Sequence, residues 1–289
     1  AGKLKKTKCN FMTYDIESLF KSCPENSKYR AEHIPFLICY DVITYNKNTE
    51  AYDFQNLEYD NQLLHLPNEG KGNYIISENP FEKFLEILNL AKAKFSIKYV
   101  FAHNGGKYDT VLLLSYIINN DVNIKFDTLI NNGKLMSLTL ELEAGTVIIK
   151  DSVLLLTEPL KKFNKSYGLA DIAQHYNFKE ADKYEQSYTF LTSDLFKEYL
   201  QNGGKSATIK KYSELNLLKA SHFNDMSQQQ FTEYVQVHGD KDFVNNYIVY
   251  CQQDVKILSL GLIKMSELTF KHEGVNMLEY LTISSLAYN

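Results

Sequence analysis

The sequence predicts a mixed β-sheet flanked by helices. Strand-like segments crowd the first half of the chain. Helical spacing dominates after Ser152. One strand–turn–helix step lies between the two regimes.

Residues 10–16 (NFMTYDI) read as a first strand, apolar and aromatic behind a basic lead from Lys3 to Lys8. Residues 34–45 read as a second strand, with 50–53 as its hairpin partner. Residues 80–95 carry apolar side chains at helical spacing, and Pro80 suits a helix start. A short strand over Tyr99–Ala102 leads into a Gly-Gly turn and a helix from about Tyr108 to Asn119. Residues 134–142 and 146–152 alternate as a hairpin around Ala144-Gly145. A long helix over roughly 241–270 carries Tyr250 and Asp254.

The 289 residues are 44% hydrophobic, enough for a sizeable core, and the net charge is −4. That charge argues against a strongly basic nucleic-acid binder and suits a site built of carboxylates. The cysteines, Cys9, Cys23, Cys39 and Cys251, form no C-x-x-C pair, so a zinc site is not expected. Their number and spacing do not suggest a disulfide scaffold, which points to a reducing, intracellular compartment, cytoplasmic or mitochondrial. No apolar run approaches the roughly 20 residues that cross a bilayer, so no membrane partner is expected. The first residue is Ala1, consistent with processing, a removed tag or a fragment.

Three acidic segments stand out. Asp15-Ile16-Glu17 ends the first predicted strand, and residues two apart on a strand share a face, so both carboxylates can meet one cation. His103-Asn104-Gly105-Gly106-Lys107-Tyr108-Asp109 combines a sharp glycine turn with an acid in the first turn of a helix. An acid there also answers the helix dipole, so this segment alone decides nothing. Tyr250 and Asp254, four apart, share a helix face. Asp-x-Glu and Tyr-x-x-x-Asp each arise by chance in a chain of this composition; the order of the three segments on a strand end, a helix start and a late helix allows them to converge at one sheet edge. Four clustered carboxylates cannot all stay ionised without cations. Two divalent ions with oxygen ligands, Mg2+ or Mn2+, are the natural partners, and such a pair stabilises both the attacking and the leaving oxygen of a phosphodiester.

In this order the three segments resemble the exonuclease motifs of family B DNA polymerases, and the His-Asn-Gly-Gly-Lys-Tyr-Asp form looks most like the protein-primed phage and linear-plasmid branch. The resemblance implies an RNase H-like (DnaQ-like exonuclease) sheet and proofreading 3′→5′ exonuclease chemistry. It implies that Asp15, Glu17, Asp109 and Asp254 hold the metals and that Tyr250 orients the attacking water. Ser18, Asn104 and Tyr108 match positions that grip the 3′ end of single-stranded DNA. Asp151-Ser152-Val153-Leu154-Leu155-Leu156 resembles a further Ser/Thr-Leu-x-x-hydrophobic motif, with Val153 in place of the usual Leu, and places Ser152 among the DNA contacts. The branch also uses a catalytic lysine after this segment. Lys183 is the first candidate and Lys179 the second, although Gln186 and Asp182 stand where a hydrophobic residue is expected.

The resemblance spans most of residues 10–289 and divides the chain into an exonuclease domain, 1–270, and a segment, 271–289, that would lead into a polymerase domain. Leu281 to Ala287 resembles that lead. Residues 190–240 look longer than the family's usual segment and read as a helical insertion outside the catalytic sheet, with helices at 208–220 and 228–237 around a loop from His222 to Met226. The chain carries no Asp-Thr-Asp and no Ser-Leu-Tyr-Pro, so a polymerase palm is not expected in it. Two other readings stay open at this stage. One is a polymerase remnant kept as a binding or structural subunit of a larger assembly; the other is a ribonuclease on the same scaffold. His103 could contact phosphate but reads more readily as a turn or supporting residue, and Lys161, Lys162 and Lys165 read equally as a solvated face or a path for a DNA backbone.

Overall fold

The computed structural model describes residues 8–22, 31–57, 73–178, 191–201, 219–222, 226–238 and 243–287. Eight strands lie among them: β1 (Phe11–Ser22), β2 (Ala31–Asn46), β3 (Ala51–Gln55), β4 (Asn73–Ile76), β5 (Tyr99–Ala102), β6 (Lys125–Asn131), β7 (Lys134–Leu142) and β8 (Gly145–Asp151). They form one sheet in the order β3-β2-β1-β5-β8-β7-β6, with β4 pairing to β2 off this path. β1, β5 and β8 run parallel, and the remaining pairs are antiparallel. This open mixed sheet flanked by helices is the fold class the sequence predicted.

Helices α1 (Pro80–Phe95) and α2 (Asp109–Asn119) connect strands in the first half of the chain. Proline at the start of α1 loses no intrahelical bond, and Ser96 ends it in the left-handed region, its N–H donating to Lys92 O. Strand alternation sorts the core into two faces. Met12, Tyr14 and Ile16 of β1 pack with Phe84 and Leu88 of α1. Leu19 of β1 and Phe36, Leu37 and Cys39 of β2 pack on the other face against α7 (Phe243–Glu273) through Val244, Tyr247 and Ile248. The register shift between Glu17 and Ser18 leaves Phe36 as an extra residue on β2, a bulge that sends both Phe36 and Leu37 toward α7.

α7 is fixed along its axis by polar bonds. The Thr13 and Ser259 hydroxyls are 2.6 Å apart, Ser259 Oγ donates to Asp41 Oδ2 at 2.9 Å, and Lys256 Nζ meets Asp41 Oδ1 at 3.1 Å. The short helices α3 (Phe163–Tyr167) and α4 (Ala170–His175) pack under α7 through Phe163 and Ile172. The chain beyond α7 returns to β8: the buried Lys150 ammonium donates to the carbonyls of Leu278 and Tyr280 at 2.8 and 3.2 Å and lies 3.8 Å from the Tyr99 ring centroid. Burial pushes the Lys150 pKa down to about 8. A short final helix, α8 (Ile283–Ala287), follows.

Three sequence expectations change. β1 continues to Ser22 rather than stopping at 16, because β2 pairs with it along its whole length, so Asp15 and Glu17 lie mid-strand. β4 and β6 were not expected. β6 is exposed at six of its seven positions, so it has no buried face to imprint a period on the sequence; its pairing with β7 makes it a strand. The expected outlying character of residues 190–240 does not hold at either end. Within 190–240 the structure describes 191–201, 219–222 and 226–238; most of the helix expected at 208–220 lies outside the described residues. α5 (Ser193–Gln201) and α6 (Gln228–His238) send Phe196 and Tyr234 into the cluster beneath α7, and Thr192 forms a parallel bridge with Phe20.

Phe196 is fully buried, with its ring 4.9 Å from that of Phe36. Phe196→Ala should therefore cost about 3–5 kcal/mol, the usual loss for emptying a core phenylalanine site. Denaturant unfolding measures it. A loss within 0.5 kcal/mol, roughly the scale of an ordinary surface substitution, would return α5 to the periphery.

Candidate active site

β1 pairs with β5 only from Phe11 to Thr13, although β1 runs on to Ser22. Past Thr13 the two parallel strands part, and a cleft of about 760 Å³ opens there. It lies off the carboxyl ends of β5 and β8 and alongside the second half of β1, on the side where an open α/β sheet places its ligands. Asp15, Glu17, Asp109 and Asp254 all line it, together with Tyr250. The structure thus brings together the acids that the sequence singled out on three separate elements.

Asp15 and Glu17 stand on one face of β1, and their carboxylate oxygens and the Cys251 sulfur lie within 4.8 Å of one another. Cys251 was not anticipated as a neighbour; nothing in its spacing reveals that α7 lays it across β1. Its thiol lies 3.5 Å from Asp15 O and 3.7 Å from Asp15 Oδ2. Burial pushes the thiol's pKa well up, so it stays protonated and donates. Tyr250 and Asp254 are buried on the cleft side of α7, one turn apart.

Asp109 is the first residue of α2, yet it does more than answer the helix dipole. Its Oδ1 accepts the Ile16 amide of β1 at 3.1 Å, tying the helix start to the strand between the other two acids. Burial, opposed by hydrogen bonds from its own and the Ile16 backbone and reinforced by Asp151 and Asp254, raises its pKa from 3.8 to about 7. A carboxyl so placed ionises fully near neutrality only beside a compensating charge. The carboxylate oxygens that line the cleft are hard donors of the kind magnesium and manganese take; among the described residues, the potential ligand atoms that lie within 4.8 Å of one another are those of Asp15, Glu17 and Cys251.

The Gly-Gly turn is built for close approach. Asn104 adopts a left-handed conformation (φ 62°), and Gly105 and Gly106 follow. A Cβ on Gly106 would overlap the Leu135 carbonyl, and one on Gly105 would come within 2.6 Å of Ala102 Cβ. The buried Asp151 braces this turn: its Oδ2 accepts the Gly106 amide at 3.3 Å and pairs with Lys134 at 2.9 Å. Neither the Asp151–Lys134 pair nor its bracing role was legible from spacing.

Ser18, Asn104 and Tyr108 line the cleft as expected of strand-gripping positions. Ser152 does not line it. It is fully buried and bonds His103 Nδ1 at 3.0 Å, so it supports a cleft residue from behind rather than meeting DNA itself. His103 and Lys161 line the cleft, whereas Lys162 faces Glu158 at 3.5 Å. Lys179 and Lys183 lie outside the described residues.

Fold and site together define an open mixed-sheet α/β domain with an acidic cleft. The family model described as DNA polymerase type B, organellar and viral, matches residues 91–289, and the chain belongs to that family. The matched span includes the segments of Asp109 and Asp254, whereas Asp15 and Glu17 precede it. Among solved structures, Phi29 DNA polymerase complexed with single-stranded DNA is similar over 95% of this chain and 33% of that chain, at 12% identity and a TM-score of 0.42. The chain therefore spans about a third of that polymerase's length. No curated protein sequence matches it.

The raised pKa of Asp109 has a sign. The folded protein binds this proton more tightly than the unfolded chain does. In the absence of divalent cations, the stability this confers is complete below pH 3.8 and is lost as the pH rises through about 7. Asp109→Asn keeps an oxygen for the Ile16 amide and removes the charge. In chelator at pH 8 it should melt above the wild type, with the gap closing toward pH 5. Magnesium should raise the wild-type midpoint more than the variant's. Thermal melts across this range check both, and a variant that melts below wild type at pH 8 contradicts the assignment.

Proposed function

We propose that this chain is a metal-dependent 3′→5′ exonuclease that removes nucleotides from the 3′ end of single-stranded DNA, the proofreading part of a family B polymerase. One observation carries the reading: four carboxylates and a tyrosine from three separate elements line one cleft beside the open stretch of β1. A scaffold freed from catalysis has no reason to keep four mutually repelling acids, two of them buried, in the same crevice.

Asp15, Glu17, Asp109 and Asp254 would hold two divalent cations, which when bound supply Lewis-acid stabilisation of the charge that develops on the phosphate oxygens. Tyr250, one turn before Asp254 on the same helix face, is placed to orient an attacking water by its hydroxyl. Ser18, Asn104 and Tyr108 grip the strand, and Asp151 keeps the Gly-Gly turn close enough for backbone approach. Lys183 remains our candidate for the branch's catalytic lysine. Residues 271–289 would lead into a polymerase domain, and the Lys150 bonds anchor the start of that lead to the sheet.

Labelled single-stranded DNA with magnesium, manganese or chelator tests the reading, with RNA of the same sequence as the comparison. The wild type should shorten DNA from its 3′ end with either metal and not in chelator. Asp15→Ala and Asp254→Ala should each lower the rate by several orders of magnitude; near-wild-type hydrolysis by either removes the two-metal assignment. Tyr250→Phe should lose less than Asp254→Ala, within the roughly 10²–10⁴-fold range of positioning and proton-transfer effects. An equal loss in the two variants would make the tyrosine more central than a water-orienting role.

A further inference from the structure

The donor atoms that cluster most tightly in the cleft region are not all oxygen. A carboxylate oxygen of Asp15, one of Glu17 and the sulfur of Cys251 lie within 4.8 Å of one another. Asp15 Oδ2 and Cys251 Sγ are 3.7 Å apart. A tetrahedral zinc, with Zn–S of about 2.3 Å and Zn–O of about 2.1 Å, holds such a pair about 3.6 Å apart, so this spacing already suits two ligands of one ion. No C-x-x-C spacing announces the contact, because its partners stand 236 positions apart in the chain.

Asp15 and Glu17 line the cleft, whereas Cys251 is fully buried on α7. A cation that reaches the sulfur therefore enters past the two carboxylates. The neighbouring Cys39 thiol, hydrogen-bonded to Cys251, donates to the Ile248 carbonyl at 3.8 Å and is not one of the three clustered donors. Hard and soft cations read this trio differently. Magnesium and manganese take oxygen, whereas zinc and cadmium take carboxylate oxygen and thiolate sulfur together. Asp109 and Asp254 stand outside the trio, so a cation held by it occupies Asp15 and Glu17 without completing the proposed two-metal centre.

We propose that Asp15, Glu17 and Cys251 form a site for a thiophilic divalent cation, zinc, and that zinc bound there inhibits hydrolysis by withholding both β1 carboxylates from magnesium. On binding, the Cys251 S–H bond breaks, its electron pair makes the Zn–S bond, and the proton passes to solvent; nothing is oxidised or reduced. The metal site stands on the trio itself, and its inhibitory effect rests on the exonuclease reading of the cleft.

Cadmium titration followed by ultraviolet absorption tests the site without any substrate, since a thiolate–cadmium bond gives a charge-transfer band that carboxylates do not. The first equivalent of cadmium should raise the band in the wild type and in Cys39→Ser, and not in Cys251→Ser. Glu17→Gln, at a half-buried cleft position, keeps the thiol and should weaken cadmium binding on the order of 10-fold or more, the scale on which metal sites lose affinity when one supporting group goes. An unchanged titration in Cys251→Ser or in Glu17→Gln overturns the site, as does loss of the band in Cys39→Ser alone. Zinc added to magnesium-supported digestion of labelled single-stranded DNA should halve the wild-type rate at a concentration on the order of 10-fold or more below that needed for Cys251→Ser, each measured against its own zinc-free rate. Equal zinc sensitivity in the two, or stimulation of the wild type, overturns the inhibitory role. A wild type that digests nothing yet binds cadmium through Cys251 sinks the exonuclease reading and leaves the metal site standing. A wild type that digests DNA while the band ignores Cys251→Ser sinks the metal site alone.

Discussion

Thr13 is the last residue of β1 that pairs with β5, and beyond it two parallel strands that had been locked together part. The partner that lets β1 continue is β2, whose antiparallel pairing follows it to Ser22. A strand supported on one side only opens its other side to the Gly-Gly turn and to α2. Asp15 and Glu17 lie on that stretch, so the cleft and its first two acids have the same origin. Shortening the β1–β2 ladder would remove the floor of the cleft as well as a piece of the sheet.

Gathering like charges at this point requires fixed support from every side. α7 supplies the fourth acid, and its position along the sheet is set beyond Asp254 by the bonds among Thr13, Ser259, Asp41 and Lys256. α2 supplies the third, held by the Ile16 amide. The Gly-Gly turn between β5 and α2 is braced by Asp151, whose own charge is met by Lys134. Among the described neighbours of the cleft acids, the protonated Cys251 thiol and the Ile16 amide are neutral donors, and Asp151 has its charge met by Lys134. The repulsion among the four cleft acids is what the scaffold leaves for cations to offset.

The periphery is less separable from this arrangement than its sequence suggests. Phe196 and Tyr234 come from helices that flank a stretch of undistinguished polar composition, yet they complete the cluster under α7 that also holds Tyr247 and Leu19. The Thr192 bridge to Phe20 ties the same region to the far end of β1.

The sequence by itself determined the order of the main elements and the identity of the acids. Residues 80–95 carry an apolar stripe at helical spacing, the 134–151 hairpin alternates, and both patterns come from side chains choosing between core and water. Asp15-Ile16-Glu17, Asp109 and Tyr250 to Asp254 were legible because residue type and order alone mark them. What tertiary structure decided is whatever depends on partners distant in the chain. β6 is a strand only because β7 pairs with it, Ser152 is buried because His103 lies over it, and Cys251 reaches Asp15 because α7 crosses β1. His33 meets Tyr108 across 75 positions of sequence. No local pattern encodes these contacts, since each arises from the packing of two elements whose separate periodicities are satisfied equally well without it.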